Sequence, residues 1–199
     1  MPPKAKYTKK EIVERSLEMV RLHGADVISA RNVAVALGTS TAPIFTSFSG
    51  IDELILAVKE RAVEIYKEKY LSPALGSELP FKAAGLAYVR FAKEEPELFK
   101  FVFMGEDKGD VQSHYLPSGD PTSPQVLGAL ATSHGLDTER AMEIYNHLSV
   151  YTYGIAVLFA SGSCVFTMED VDKMLSEIFY ALKARCVSAE TYAKEGKNE

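Results

Sequence analysis

From Thr8 onward, apolar residues return every three or four positions, and most runs close on a residue that stops a helix. That period fits helices and leaves no room for strands, which need alternation at every second residue between hairpin turns. Thr8-Lys9-Lys10-Glu11 has the form of a capping box, and Ile12, Val13, Leu17 and Val20 follow at helical spacing up to Gly24. Ser29 stands where it would cap a second helix carrying Val33, Ala34 and Leu37, which Gly38 ends by taking the left-handed conformation. Ser40 is expected to cap a third, with Pro43 in the first turn, where a missing N–H costs nothing. Ser49-Gly50-Ile51-Asp52 offers a cap with an acidic third residue to a long fourth helix through Leu54, Val58, Ala62, Ile65 and Tyr70.

The pattern continues beyond Pro73. Residues 81–95 carry Ala84, Tyr88, Phe91 and Ala92 on one side, and Pro96 opens a further helix with Leu98, Phe99, Val102 and Phe103. Residues 105–122 are rich in Gly, Pro, Ser and Asp and are expected to form an exposed loop. Ser123 and Pro124 begin a helix that Gly135 ends. Two longer helices follow, one from Asp137 to Ala160 with Met142, Tyr145, Leu148, Thr152, Ile155 and Phe159, and one opened by Thr167 with Val171, Met174, Leu175, Ile178 and Leu182. The expectation is an all-α chain of about nine helices.

Composition narrows the class. With 47% apolar and 25% charged residues the 199-residue chain is an ordinary globular protein with a real core. Cys164 and Cys186 make no disulfide framework and read as reduced packing residues. No apolar run reaches the length of a membrane span, and the basic first ten residues lack the apolar core of a signal peptide, so a cytoplasmic protein without membrane partners is expected. The net charge of −5 divides unevenly. Residues 1–50 hold Lys4, Lys6, Lys9, Lys10, Arg15, Arg21 and Arg31 against Glu11, Glu14, Glu18 and Asp26, a net +3 that leaves −8 for the remainder. A basic end on an acidic body fits a polyanion-binding segment.

Residues 29–48 give that segment a form. Two short helices joined by a turn containing Gly hold the second helix in a DNA major groove while the first braces it across the backbone. A plain helical hairpin of the core is the alternative. In the reading-head arrangement Ala34, Leu37, Ile44 and Phe48 face inward, while Thr41, Ala42, Phe45, Thr46 and Ser47 look outward. Small outward residues let the helix approach the bases, hydroxyls bond to bases or phosphates, and an Ala or Thr methyl can touch a thymine methyl.

Residues 8–54 also carry Gly24, then Ser29-Ala30-Arg31-Asn32-Val33-Ala34, Gly38-Thr39-Ser40, Ile44-Phe45-Thr46-Ser47-Phe48 and Glu53-Leu54. In elements and spacing this resembles the DNA-binding domain of the TetR/AcrR family of transcriptional regulators. The resemblance implies a homodimer with a three-helix head at residues 1–50. A C-terminal domain at 51–199 would bind an effector and dimerise through the last two long helices, with the helix at 51–70 as connector. Phe91-Ala92, Glu95-Pro96-Glu97-Leu98-Phe99, Phe103 and Tyr151-Thr152-Tyr153-Gly154-Ile155-Ala156 are similar to one branch, in which His often stands where this chain has Tyr153. Phe45 replaces a frequent Tyr and Ile51 a frequent Lys, so two usual phosphate contacts are missing. Each lost contact weakens binding and flattens its salt dependence by about one unit of slope. Lys6, Lys9, Lys10 and Arg31 are the expected compensating charges, with Thr39, Ser40, Thr41, Ala42, Phe45, Thr46 and Ser47 completing the DNA-facing set. The partners implied are a double-stranded operator and a small molecule, and the usual outcome is repression relieved by that molecule.

For the effector site, Tyr88, Phe91, Phe103, Met104, Tyr145, His147, Tyr153 and Phe159 supply aromatic and soft surface on the helices of the C-terminal core, beside the plainer reading that they only pack. An apolar or aromatic ligand is expected, and a cation could sit against the ring faces. No enzyme is expected, and neither a cofactor nor a metal. The four histidines are scattered, and there is no His-Glu-x-x-His, no phosphate-cradling Gly loop and no Cys-x-x-Cys. Glu143 and His147 lie four apart, the spacing of an ordinary helix-surface pair. The remaining alternative is a helical dimer that binds a ligand or protein without reading DNA.

Overall fold

The computed structural model describes residues 7–104 and 123–195. Lys6 and the loop expected at 105–122 lie outside them. The described residues are helical throughout: α1 (Lys9–His23), a 3-10 turn (Ala25–Val27), α2 (Ala30–Ala36), α3 (Ala42–Ser47), α4 (Ile51–Ile65), a π-helical turn (Tyr66–Leu71), α5 (Ser72–Leu75), α6 (Pro80–Glu94), α7 (Pro96–Phe103), α8 (Ser123–His134), α9 (Thr138–Ala160) and α10 (Met168–Glu195).

Several helices start where capping chemistry puts them. The Thr8 hydroxyl accepts from the Glu11 N–H at 3.2 Å while the Glu11 carboxylate accepts from the Thr8 N–H at 2.7 Å, closing the expected box. Thr167 and Asp170 make the same reciprocal pair at the head of α10. Asp137 caps α9 by accepting from the Arg140 N–H.

Two starts differ from expectation. Ser40 does not cap α3; the helix begins at Ala42, behind Thr41 in a helical conformation with no side-chain cap. Pro43 lacks the N–H three residues beyond Ser40 that a capping hydroxyl there would bind. At α4, Gly50 rather than Ser49 occupies the cap position, and Glu53 rather than Asp52 does the acidic work. Its carboxylate accepts from the Ser49 N–H at 2.7 Å and from the Ser49 hydroxyl at 2.8 Å.

The fourth helix does not run on as an α-helix to Tyr70. After Ile65 it widens into one π turn, in which the Ser72 N–H donates to the Lys67 carbonyl five residues back. The cause is packing. Tyr66 and Leu71 are both buried although five residues apart, and on an ideal α-helix they would point about 140° away from each other. The wider turn brings both onto the core side. Tyr66 then meets Tyr88, Phe91 and Phe103, and Tyr70 meets Phe91, with ring centroids 5.2–6.0 Å apart at inclined angles favourable to aromatic pairs.

Helix α6 is the axis of the C-terminal part, packed by α9, α10, α8, α7 and the π turn, while α1 rests on α4 and α7. The last contact joins the first helix to the middle of the chain. The Arg21 guanidinium donates to Glu95 at 2.8 Å, and a Cβ on Gly24 would stand 3.0 Å from the Glu97 carboxylate. Gly24 also holds φ at +81°, so both its conformation and its neighbour favour glycine. Along α9 the buried face is Ala141, Ile144, Tyr145, Leu148, Thr152 and Ile155; Met142, expected inside, is exposed one position off that stripe.

Candidate DNA-reading head and effector cavity

Helices α2 and α3 form the head. The Ser29 hydroxyl accepts from the Asn32 N–H at 3.1 Å, and the Asn32 amide reaches back to the Val27 carbonyl at 2.9 Å, fixing the start of α2. Its end is fully satisfied. Gly38, at φ +62°, lets its own N–H reach the Val35 carbonyl and the Thr39 N–H reach that of Ala34, each at 3.0 Å. Arg15 donates to the Ala36 carbonyl at 3.2 Å and the Tyr7 hydroxyl to that of Leu37. Neither partner was legible in the motif, because each comes from α1 or just before it. Together they hold the turn that aims α3.

Ala34, Ile44 and Phe48 are buried and Leu37 is half-buried, as an inward face requires. Ala42, Phe45 and Thr46 are exposed, with Thr41 and Ser47 partly so; Phe45 keeps 55% of its surface. The Thr46 hydroxyl donates to the Ala42 carbonyl at 2.9 Å, which commits its proton. Toward DNA that oxygen is left to accept, from an adenine or cytosine amino group, and the methyl is left to touch a thymine. Thr39 is half-buried and Ser40 exposed in the turn. Arg31 is exposed in the first turn of α2, with no ion pair among the described residues.

Lys9 and Lys10 sit at the start of α1 and both are exposed. The Lys9 ammonium is held by Glu53 at 2.7 Å and lies 4.7 Å from the centre of the Phe48 ring. The bond from Lys9, with those from Ser49, pulls the Glu53 carboxyl down to about 2. A carboxyl lowered by folding stabilises the fold above its ordinary range and loses that effect as pH falls through the folded value. Glu53→Gln is therefore expected to melt below the parent protein at neutral pH, with the gap closing between about pH 4.5 and 2 when both are followed by circular dichroism.

The C-terminal part is hollow. A cavity of about 180 Å³ opens between α6, α8, α9 and α10, and the π turn reaches it through Tyr66 and Leu71. Of the eight residues expected at an effector site, Tyr88, Tyr145 and Tyr153 line it. The other five lie elsewhere. Phe91 is wholly buried and Phe103 packs beside it in the aromatic cluster; Met104 and His147 are exposed; Phe159 lies under Lys93 on another side of α9. The walls also include Phe81, His134 and Phe179, which sequence reading missed. Phe179 follows Leu175 by four residues, so the α10 period carried a signal for it, whereas nothing local marked His134. Glu143 ion-pairs with Arg185 of α10, and no group of three metal-ligating side chains occurs among the described residues.

A capped helix-turn-helix joined by one long helix to a hollow helical body is a build used by transcription regulators. Residues 81–182 match the family model described as tetracyclin repressor-like, C-terminal domain. A solved structure, a TetR-like transcriptional regulator from Rhodococcus sp. RHA1, shares the fold at a TM-score of 0.63 and 13% identity, over 88% of this chain and 95% of that one. No curated protein matches the chain. The chain belongs to the tetracyclin repressor-like (TetR) family. That family is one of ligand-responsive DNA-binding regulators and is generally not enzymatic. Among the described residues no helix is long and apolar enough to cross a membrane.

Proposed function

We propose that this chain is a homodimeric repressor that releases its operator when a small, largely apolar molecule enters the C-terminal cavity. Residues 1–50 act as the reading head, residues 51–199 as the effector-binding and dimerising body, and the helix at 51–70 as the connector. The carrying observation is that one continuous helical segment begins beside α3 and ends in the cavity wall at Tyr66 and Leu71. A molecule pressing on those side chains changes the tilt of the segment that positions the head. Two heads in a dimer fit successive major grooves only at a matching separation. An effector that favours another separation weakens operator binding by its differential affinity, typically about 1–3 kcal/mol.

Phosphates are assigned to Lys6, Lys9, Lys10 and Arg31 and to the hydroxyls of Thr39 and Ser40; base edges are assigned to Thr41, Ala42, Phe45, Thr46 and Ser47. For the dimer, α9 and α10 supply the apolar surface: Val150 and Leu158 stand on the outer face of α9, and Tyr180 keeps 65% of its surface on α10.

The test is a salt series of binding to the promoter DNA of the protein's own gene. Arg31→Ala is expected to weaken binding to every sequence and to lower the salt slope by about one. Thr46→Ala is expected to cost about 1–3 kcal/mol on the operator alone. Equal binding to promoter and random DNA would favour the ligand- or protein-binding dimer that reads no DNA.

A further inference from the structure

We propose, resting on the effector reading of the cavity, that its ligand is an uncharged single-ring aromatic molecule with one hydrogen-bonding substituent, a phenol or aryl carbonyl, and that His134 receives that substituent.

Size comes first. A cavity of roughly 150 Å³ suffices for benzene, so about 180 Å³ holds one ring and a small substituent. Shape comes next. Aromatic side chains approach from several sides: Phe81 and Tyr88 on α6, Tyr145 on α9 and Phe179 on α10, with Phe81 6.5 Å from Tyr145 and 6.3 Å from Phe179 between ring centres. Rings at those separations offer edges and faces to a flat guest.

Charge weighs against ions. The charged side chain in the described wall is Lys82, and Asp172 holds its ammonium at 2.8 Å, so an anion finds no uncommitted ammonium in the wall and a cation finds ring faces alone. Burial, with Lys183 nearby, lowers the pKa of His134, which keeps the imidazole neutral at pH 7. A charged guest would lose its hydration with no compensating charge in the described wall.

His134 supplies a ring nitrogen to the wall, beside the hydroxyls of Ser133, Ser149 and Thr152. Tyr153 donates to the Phe103 carbonyl and Ser176 to that of Asp172, so both protons are committed. His134 lies with its ring centre 4.6 Å from that of Phe179, and its nitrogens have no hydrogen-bond partner among the described residues. A neutral imidazole can donate or accept, which suits a phenol hydroxyl or a carbonyl.

The experiment is calorimetric titration of the full chain at pH 7 with four probes of one shape: p-cresol, toluene, p-toluate and 4-methylbenzylammonium. p-Cresol is expected to bind about tenfold more tightly than toluene, the worth of one hydrogen bond, and more tightly still than either ion. His134→Phe is expected to abolish the p-cresol advantage, so that p-cresol and toluene bind equally in that variant. An ion that binds as tightly as p-cresol overturns the neutral class, and a p-cresol advantage that survives in His134→Phe overturns the anchor. If no probe binds but a cell extract still releases the operator, this inference fails and the effector reading stands; if neither occurs, both fail.

Discussion

Phe91→Ala is expected to cost about 3–5 kcal/mol of folding stability, the range for deleting a fully buried aromatic ring from a core that closes only partly around the gap. Phe91 has no exposed surface and sits amid the rings of Tyr66, Tyr70, Phe99 and Phe103 at 5.2–6.3 Å between centroids. Its loss removes apolar burial and also the aromatic contacts that hold the π turn against α6 and α7. Against a typical total of about 5–15 kcal/mol, that is enough to leave the chain marginal. Urea denaturation followed by circular dichroism measures it, and a loss under about 1 kcal/mol would contradict the packing described. Phe91→Leu keeps most of the volume and is expected to cost clearly less, which separates the cavity from the backbone as the cause.

The largest effect on DNA binding is expected from the outer face of α9. Val150 is 67% exposed and Leu158 39% exposed, four residues to either side of Gly154, where a Cβ would meet nothing within 4 Å of the protomer. A bare glycine between two outward aliphatic residues lets a second helix approach closely. The double variant Val150→Asp, Leu158→Asp places two carboxylates there, and a two-fold interface brings each against its own copy or a near neighbour. The variant is expected to sediment as a monomer at concentrations where the parent is a dimer. Its fold should be unchanged, because both side chains are solvent-facing in the protomer. A monomer engages one half-site without the gain of the second, so operator affinity is expected to fall by roughly a hundredfold to ten-thousandfold. An unchanged sedimentation coefficient would place the dimer contact elsewhere on the body.

What the sequence disclosed follows from where the determining contacts lie. Caps and stops are local, and Thr8, Ser29, Gly38, Gly135 and Thr167 all act within six residues of themselves, so they could be read directly. The fold class and the helix-turn-helix rest on such signals. Ser40 misled because Pro43 lacks the N–H that a cap there would bind, and the residue preference for Ser at a cap does not record what stands three positions on. The cavity was half legible. Tyr88, Tyr145 and Tyr153 stood out as aromatic residues on core helices, but that cue does not separate a ring filling the core from one facing a hollow. Phe91 and Phe103 went to the first role and Phe179 to the second, and long-range packing made the choice.

The π turn has a consequence for the length of the chain. A turn closed by a five-residue bond holds one residue more than the α-helical turn it replaces, so the segment Tyr66–Leu71 carries a surplus residue between the head and the body. Deleting a residue elsewhere in α4 would rotate everything beyond it by about 100° and turn the buried stripe of Leu54, Val58 and Ala62 off the core. Deleting one within the wide turn would restore ordinary helix and leave both flanks facing as before. Insertions and deletions should therefore gather at this joint among related chains, where the span from reading head to hollow can be trimmed by a single codon without redesigning either end.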